Sequence, residues 1–228
     1  MKRFLLALFA ALPLGAAAQS PLSYFSLGPV GAIGGSWITQ WPGDNENSTW
    51  VAAGLDLTYS KAENIGFGAD LTISREGFDA RYNVGGISRN LEATPVYLRF
   101  QPKVIYFFNQ WGDAVRPKIW LGPSIGLRID ETSDLNPDRP LLADEDLELG
   151  RNVFSRVDAG VTGGAGFNVR IAHGTWFTLG AAYYHGLVDV VDDEFTERDS
   201  YNRHLGAMVG INFGLGVSKG KAHHRDDR

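Results

Sequence analysis

Apolar and polar residues alternate one for one along most of the chain, and the pattern is sharpest over residues 152–168, NVFSRVDAGVTGGAGFN. Val153, Val157, Ala159, Val161, Ala165 and Phe167 share one side; Arg156, Asp158, Gly160, Thr162, Gly164 and Asn168 share the other. Period two predicts a β-strand, because successive side chains of an extended chain leave opposite faces of a sheet. Charge falls on the face of small residues, with Arg156 and Asp158, while the opposite face is apolar and uncharged. Such a face packs on a second sheet or meets lipid, and the other strands decide between these.

The same reading predicts eight strands, at about 22–39, 49–60, 65–74, 92–108, 116–130, 152–171, 176–188 and 201–215. In the first, Gly28-Pro29 and Gly34-Gly35 leave the register ambiguous and point to a bulge. The connections alternate in length. Polar loops at 40–48, 75–90, 131–151 and 189–200 are long, whereas 61–64, 109–115 and 173–175 are short. An up-and-down order of strands puts the short turns at one end and the long loops at the other, the asymmetry of outer-membrane barrels. The expected fold is therefore all-β, an eight-stranded antiparallel up-and-down transmembrane β-barrel.

Charge placement supports that choice. Asp56, Asp70, Arg99, Lys103, Lys118, Arg128, Asp158 and Arg170 all lie on the small-and-polar face of their strands. A soluble lipocalin-like barrel or sandwich has the reverse arrangement, and charges left unpaired in its interior would be costly. Here the uncharged face stays apolar for about the 9–11 residues with which a strand crosses a bilayer. Trp37, Trp50, Tyr59, Tyr106, Phe107, Phe108, Trp111 and Trp176 gather near strand ends, where interfacial girdles are expected.

The N-terminus reads as an export signal. Lys2 and Arg3 precede an apolar core that is too short to span a bilayer, and Ala16-Ala17-Ala18 forms a small-residue cleavage site. This divides the chain into a signal peptide at 1–18, a barrel domain at 19–217 and a polar tail at 218–228. The chain has no cysteine, so no disulfide staples it. Without Lys2 and Arg3 there are 19 basic and 26 acidic residues, a net charge of −7, which argues against a nucleic-acid partner.

The segments RPKIWLGPSIGLRID (116–130), DAGVTGGAGFNV (158–169) and FTLGAAYYHGLVDV (177–190) resemble successive strands of the PorT-like outer-membrane β-barrel family of Bacteroidetes-type bacteria. GAIGGSWIT (31–39) and NRHLGAMVGINF (202–213) are similar to its opening and closing strands. The resemblance covers most of the mature chain and implies the eight-stranded OmpA/OmpX-type shape. It implies no particular activity, although one namesake takes part in secretion of proteases across the outer membrane.

Three constellations are candidates for chemistry. Lipid-modifying catalysis needs a serine activated by a histidine that a third group orients. His173, His185 and His204 are the candidates, with Ser200 and Asp189 near His185, but no spacing ties a serine to them and there is no G-x-S-x-G elbow. They read as interfacial polar residues, and no catalytic residue is assigned. His223 and His224 belong to a solvated tail. The acidic loops are the second candidate. Asp130, Asp134 and Asp138 have a loosely calcium-like spacing but lack the glycine and glutamate of the helical-loop motif, and a solvated acidic rim is the ordinary alternative. The third is the interior charge set, in which Arg99, Lys103, Lys118 and Arg128 make a basic stripe that Asp56, Asp70 and Asp158 can answer. It reads as a salt-bridged plug or as a narrow ion path. The plug is preferred, because eight strands enclose little beyond side chains. The expectation is a monomeric, non-enzymatic outer-membrane barrel without a cofactor, which meets membrane lipids and uses acidic loops structurally or to bind an envelope partner. A narrow pore or secretion-associated barrel is the alternative, and a lipid-modifying enzyme is third.

Overall fold

A computed structural model describes residues 24–39, 44–61, 64–84, 87–109, 113–137, 154–172, 174–191 and 199–215. They form antiparallel strands β1 (Phe25–Thr39), β2 (Asp44–Glu46), β3 (Ser48–Tyr59), β4 (Ile65–Glu76), β5 (Phe78–Val84), β6 (Ile87–Phe107), β7 (Val115–Pro137), β8 (Val157–Ala172), β9 (Thr175–Gly186) and β10 (Tyr201–Leu215). The ring runs β1-β3-β4-β6-β7-β8-β9-β10, and β10 returns to β1, which closes an eight-stranded up-and-down barrel. Strands β5 and β2 stand outside this ring, β5 paired with β6 and β2 with β5. The segments read as signal peptide and tail, and residues 138–153 of the longest acidic loop, lie outside the described residues.

Two expectations about local structure are corrected. The register of β1 passes Gly28-Pro29 and Gly34-Gly35 without a shift, so there is no bulge in that strand. The segment 75–90, expected to be a polar loop, is mostly strand. Pairing continues in one register from Ile65↔Tyr106 through Arg75↔Val96 and Phe78↔Ala93 to Val84↔Ile87. The sequence between the last pair is Gly85-Gly86, a turn-forming dipeptide suited to a two-residue hairpin connection. At roughly 3.3 Å per residue, the 21 residues of β6 far exceed a hydrocarbon core of about 30 Å, so this hairpin rises beyond the membrane at the long-loop end. On its other side, the ladder of β6 with β7 shifts register at Val96/Tyr97, a bulge at the rim.

The two faces are inverted relative to a soluble barrel. Ile33, Leu71, Phe100, Ile119, Leu121, Ile125, Phe167, Leu179 and Leu205 point outward, with Leu121 62% exposed. Asp56, Asp70, Arg99, Lys103, Lys118 and Asp158 point inward and are buried. A continuous apolar wall of this size has no place in water and suits acyl chains. Of the expected girdle, Tyr59, Tyr106 and Phe108 are on the outer face near the short-turn end, where Tyr106 and Phe108 meet edge to face at 5.2 Å. Trp50 and Phe107 are corrections, since they point into the lumen and are buried. Strand position alone suggested a girdle for them, but their parity is that of the interior. Trp111 lies outside the described residues.

Inside, Val30, Ile105, Phe107, Trp120 and Met208 form an apolar cluster, joined by Ala32 and Ala182. Glycine makes room for it. A Cβ at Gly164 would stand 2.2 Å from Trp120 Cζ2, so this position must lack a side chain for the indole to lie across the lumen.

Candidate functional site

The lumen face carries its charges because each interior strand position repeats every second residue, so a polar residue placed there meets polar residues of neighbouring strands instead of lipid. In the half toward the long loops, Arg99 of β6 is the hub. Its Nε and Nη2 donate to Glu76 Oε1 and Oε2 at 2.5 and 2.6 Å, and Nη2 also pairs with Asp158. The guanidinium lies over the Tyr184 ring, 4.3 Å from its centre, and the Tyr184 hydroxyl donates to Asp158 Oδ1 at 2.6 Å. Asn202 Nδ2 donates to both carboxylates, reaching Asp158 Oδ2 at 3.1 Å. Ser74 donates to Glu76 at 2.6 Å and accepts the Trp50 indole N–H at 2.9 Å. His204 is sandwiched between the Trp50 and Tyr184 rings at 4.1 and 4.8 Å, with Nε2 3.9 Å from Glu76 and no hydrogen bond to either ring nitrogen.

In the other half, Lys103 sits between two aspartates that face each other across β3 and β4, with Nζ 2.9 Å from Asp56 and 2.7 Å from Asp70. Asn212 donates to Asp56 at 2.5 Å. Lys118 is buried beside this group, its Nζ 5.5 Å from the centre of the Trp120 ring. Arg116, nearer the short turns, stacks on Phe107 at 3.8 Å.

The eight residues read from the sequence as an interior charge set therefore divide. Arg99 and Asp158 belong to one cluster, and Lys103, Asp56 and Asp70 to the other, with Lys118 alongside. Arg128 lies at the outer rim, where Nη1 pairs with Glu131 and donates to the carbonyl of Phe154. Arg170 has interior parity but sits exposed at the short-turn end, 5.8 Å from the Trp176 ring centre and apart from both clusters. Glu76 was missed. It had been assigned to a loop by its polar surroundings, yet Asp70, Thr72, Ser74 and Glu76 continue one parity, and that was the available signal.

A cavity of about 30 Å³ touches both clusters, with Asp70, Thr72, Ser74, Arg99, Gln101 and Trp120 in its wall, which is room for a water molecule or two. Nearer the outer end, Ile38, Phe78, Ala93, Phe154, Val190 and Val191 are each buried, and the Phe78 and Phe154 rings meet edge to face at 6.0 Å. A bridge joins Phe154 to Val191, and the Phe154 carbonyl accepts from Arg128 Nη1.

Of the catalytic candidates, Asp189 and Ser200 meet through a backbone hydrogen bond. His185 Nδ1 lies 3.3 Å from the Tyr183 hydroxyl, and Asp189 Oδ1 accepts the backbone N–H of Val191 and Ser200. His173, His223 and His224 lie outside the described residues. Asp130 and Asp134 are both in β7, four residues apart along an extended chain and so roughly 13 Å from each other. Asp138 is outside the described residues, and among the described residues no cluster of His, Asp or Glu is arranged to hold a metal.

A closed ring of eight strands, an apolar outer wall and charges turned inward define a transmembrane β-barrel protein. Over residues 4–218 the chain matches the family described as outer membrane protein beta-barrel domain, and it belongs to that family. Membership implies an outer-membrane location. Among solved structures it is similar to the outer membrane protein OprG from Pseudomonas aeruginosa, with 14% identity over 87% of this chain and 98% of that one and a TM-score of 0.49. Neisserial surface protein A matches at 14% identity over 85% of this chain and 98% of that one, with a TM-score of 0.49. Ail of Yersinia pestis, in complex with the heparin analogue sucrose octasulfate, matches at 15% identity over 83% and 99%, with a TM-score of 0.41. No curated protein matches the chain.

Proposed function

We propose that this chain is a non-enzymatic outer-membrane barrel of the PorT-like kind, exported by its N-terminal segment, with a sealed lumen and an outer rim that serves a structural or binding role. The observation that carries the reading is the packing of buried side chains across the lumen. Two ion-paired clusters and an apolar belt around Trp120 occupy the described lumen, a cavity of about 30 Å³ touches both clusters, and the buried residues around Phe154 would cap the outer opening. A monomer is favoured because the chain closes its own ring through the β6–β7 pairing. The β5–β6 hairpin is the described part that rises clear of the membrane, and it is a surface a partner would meet. The test is planar-bilayer recording on the refolded full chain. A sealed barrel adds no steady current to the bilayer baseline, whereas a stable ohmic conductance would replace this reading by the narrow-pore alternative.

A further inference from the structure

We propose that the outer wall of the barrel at β1, β10 and β9 holds the phosphate of an outer-leaflet lipid, with Arg203 as its anchor. The inference rests on the reading of the chain as a lipid-immersed barrel. It starts from a row of residues that the strand register places side by side: Trp37 of β1 opposite Arg203 of β10, and Arg203 opposite His185 of β9. Their neighbours Asn202, His204 and Tyr184 are buried in the lumen, so this row points outward. It lies within two residues of the outer ends of β1, β9 and β10, which is headgroup depth in a membrane barrel.

Arg203 is the unexplained member. It is half-buried, its Nε is enclosed and has no hydrogen-bond partner, and among the described residues no carboxylate pairs with it. The nearby acids among the described residues are engaged elsewhere. Asp189 Oδ1 takes the backbone N–H of Val191 and Ser200 at 3.1 and 3.0 Å, and Asp199 takes the Tyr201 hydroxyl at 3.2 Å. A permanent cation on an apolar wall needs an anion, and a guanidinium matches the forked oxygens of a phosphate.

Its surroundings suit such a guest. The Trp37 and Tyr183 rings approach to 6.4 Å across β10, and the Tyr183 hydroxyl stands 3.3 Å from His185 Nδ1, which adds a phenol and an imidazole to the donor set. Below this row the wall continues as exposed Leu205, Val209, Ile33 and Leu179, a bed for acyl chains. Arg75 offers the internal comparison. It is also an exposed outward cation near the rim, but its strand neighbours are Val51 and Val96, without aromatic or imidazole groups.

The experiment is native mass spectrometry of the full chain refolded in non-ionic detergent. The probes are a phosphorylated glucosamine-based glycolipid, the same lipid after enzymatic dephosphorylation, and inorganic phosphate as competitor. The wild type is expected to retain one phosphorylated lipid, Arg203→Gln to weaken retention at least tenfold, and Arg75→Gln to leave it unchanged. Equal retention by Arg203→Gln, equal loss in Arg75→Gln, or equal retention of the dephosphorylated lipid would overturn the proposal. Displacement of the lipid by inorganic phosphate at matching concentration would assign the site to free phosphate and also overturn it. Folding of each variant is checked by strand circular dichroism and heat-dependent gel migration. A wild type that fails to form a barrel fails the underlying reading, whereas a folded wild type that retains no lipid fails this inference alone.

Discussion

Replacing Arg99 with methionine tests how the lumen is held together. The substitution keeps an unbranched side chain of similar length but removes the guanidinium that Glu76 and Asp158 share. Both carboxylates stay buried, with Ser74, Asn202 and Tyr184 as their remaining donors. Breaking a buried ion pair on one side costs about 3–5 kcal/mol, a large share of the ~5–15 kcal/mol that holds an ordinary domain. Glu76→Gln keeps the shape and leaves Arg99 with Asp158, so a loss of about 1–3 kcal/mol is expected. In the double variant Arg99→Met/Glu76→Gln one stranded charge is gone, and Asp158 keeps the Tyr184 hydroxyl at 2.6 Å. The double variant should therefore be less destabilised than the sum of the singles, by at least ~1 kcal/mol of coupling. The assay is reversible urea unfolding of the barrel in lipid vesicles, followed by tryptophan fluorescence. The Arg99→Met midpoint should fall by on the order of 2 M. A midpoint within error of wild type, or strict additivity in the double variant, would refute the idea that this cluster is a coupled support.

Three further outcomes are expected. Gly164→Ala places a Cβ 2.2 Å from Trp120 Cζ2, and should lower urea stability by about 1–3 kcal/mol, with part of the loss restored by Trp120→Leu. Leu121→Arg puts a cation on the middle of the outer wall, and should cost about 2–4 kcal/mol in bilayer refolding titrations while changing little at rim positions such as Tyr201. Phe154→Ala removes a buried ring of the proposed cap; deuterium exchange at the β6 and β10 amides near Arg99 and Asn202 should accelerate, with those of β3 near Asp56 unaffected.

Much of the architecture was legible because period two is a strong signal when one face must be apolar over a whole bilayer crossing. The short turns and the interior charges on β3, β4, β6, β7 and β8 followed from it. What escaped was the part outside the membrane. Residues 78–84 do alternate, with Phe78, Ala80, Tyr82 and Val84 on one side, but the stretch is short and lies between Gly77 and Gly85-Gly86, so it reads as part of a loop. Glu76 was lost with that segment, although its parity with Asp70 pointed inward. Partner choice was not legible either. A basic stripe on β6 and β7 says nothing about which acid answers which base, and only the register shows that Lys103 takes Asp56 and Asp70 while Arg99 takes Glu76 and Asp158. Parity also overreached at Arg170, because a strand continues beyond the enclosed part of the barrel and its last interior-facing residue is solvated.

The inversion of faces is the claim on which the account stands, and nuclear Overhauser contacts between lipid acyl chains and the side chains of β7 measure it without altering the protein. For the full chain in lipid nanodiscs, Ile119, Leu121, Ile125 and Leu127 should show acyl-chain contacts, and Lys118, Trp120 and Ser124 should show none. Acyl-chain contacts to Trp120 and Lys118, or the absence of any alternation along the strand, would contradict it.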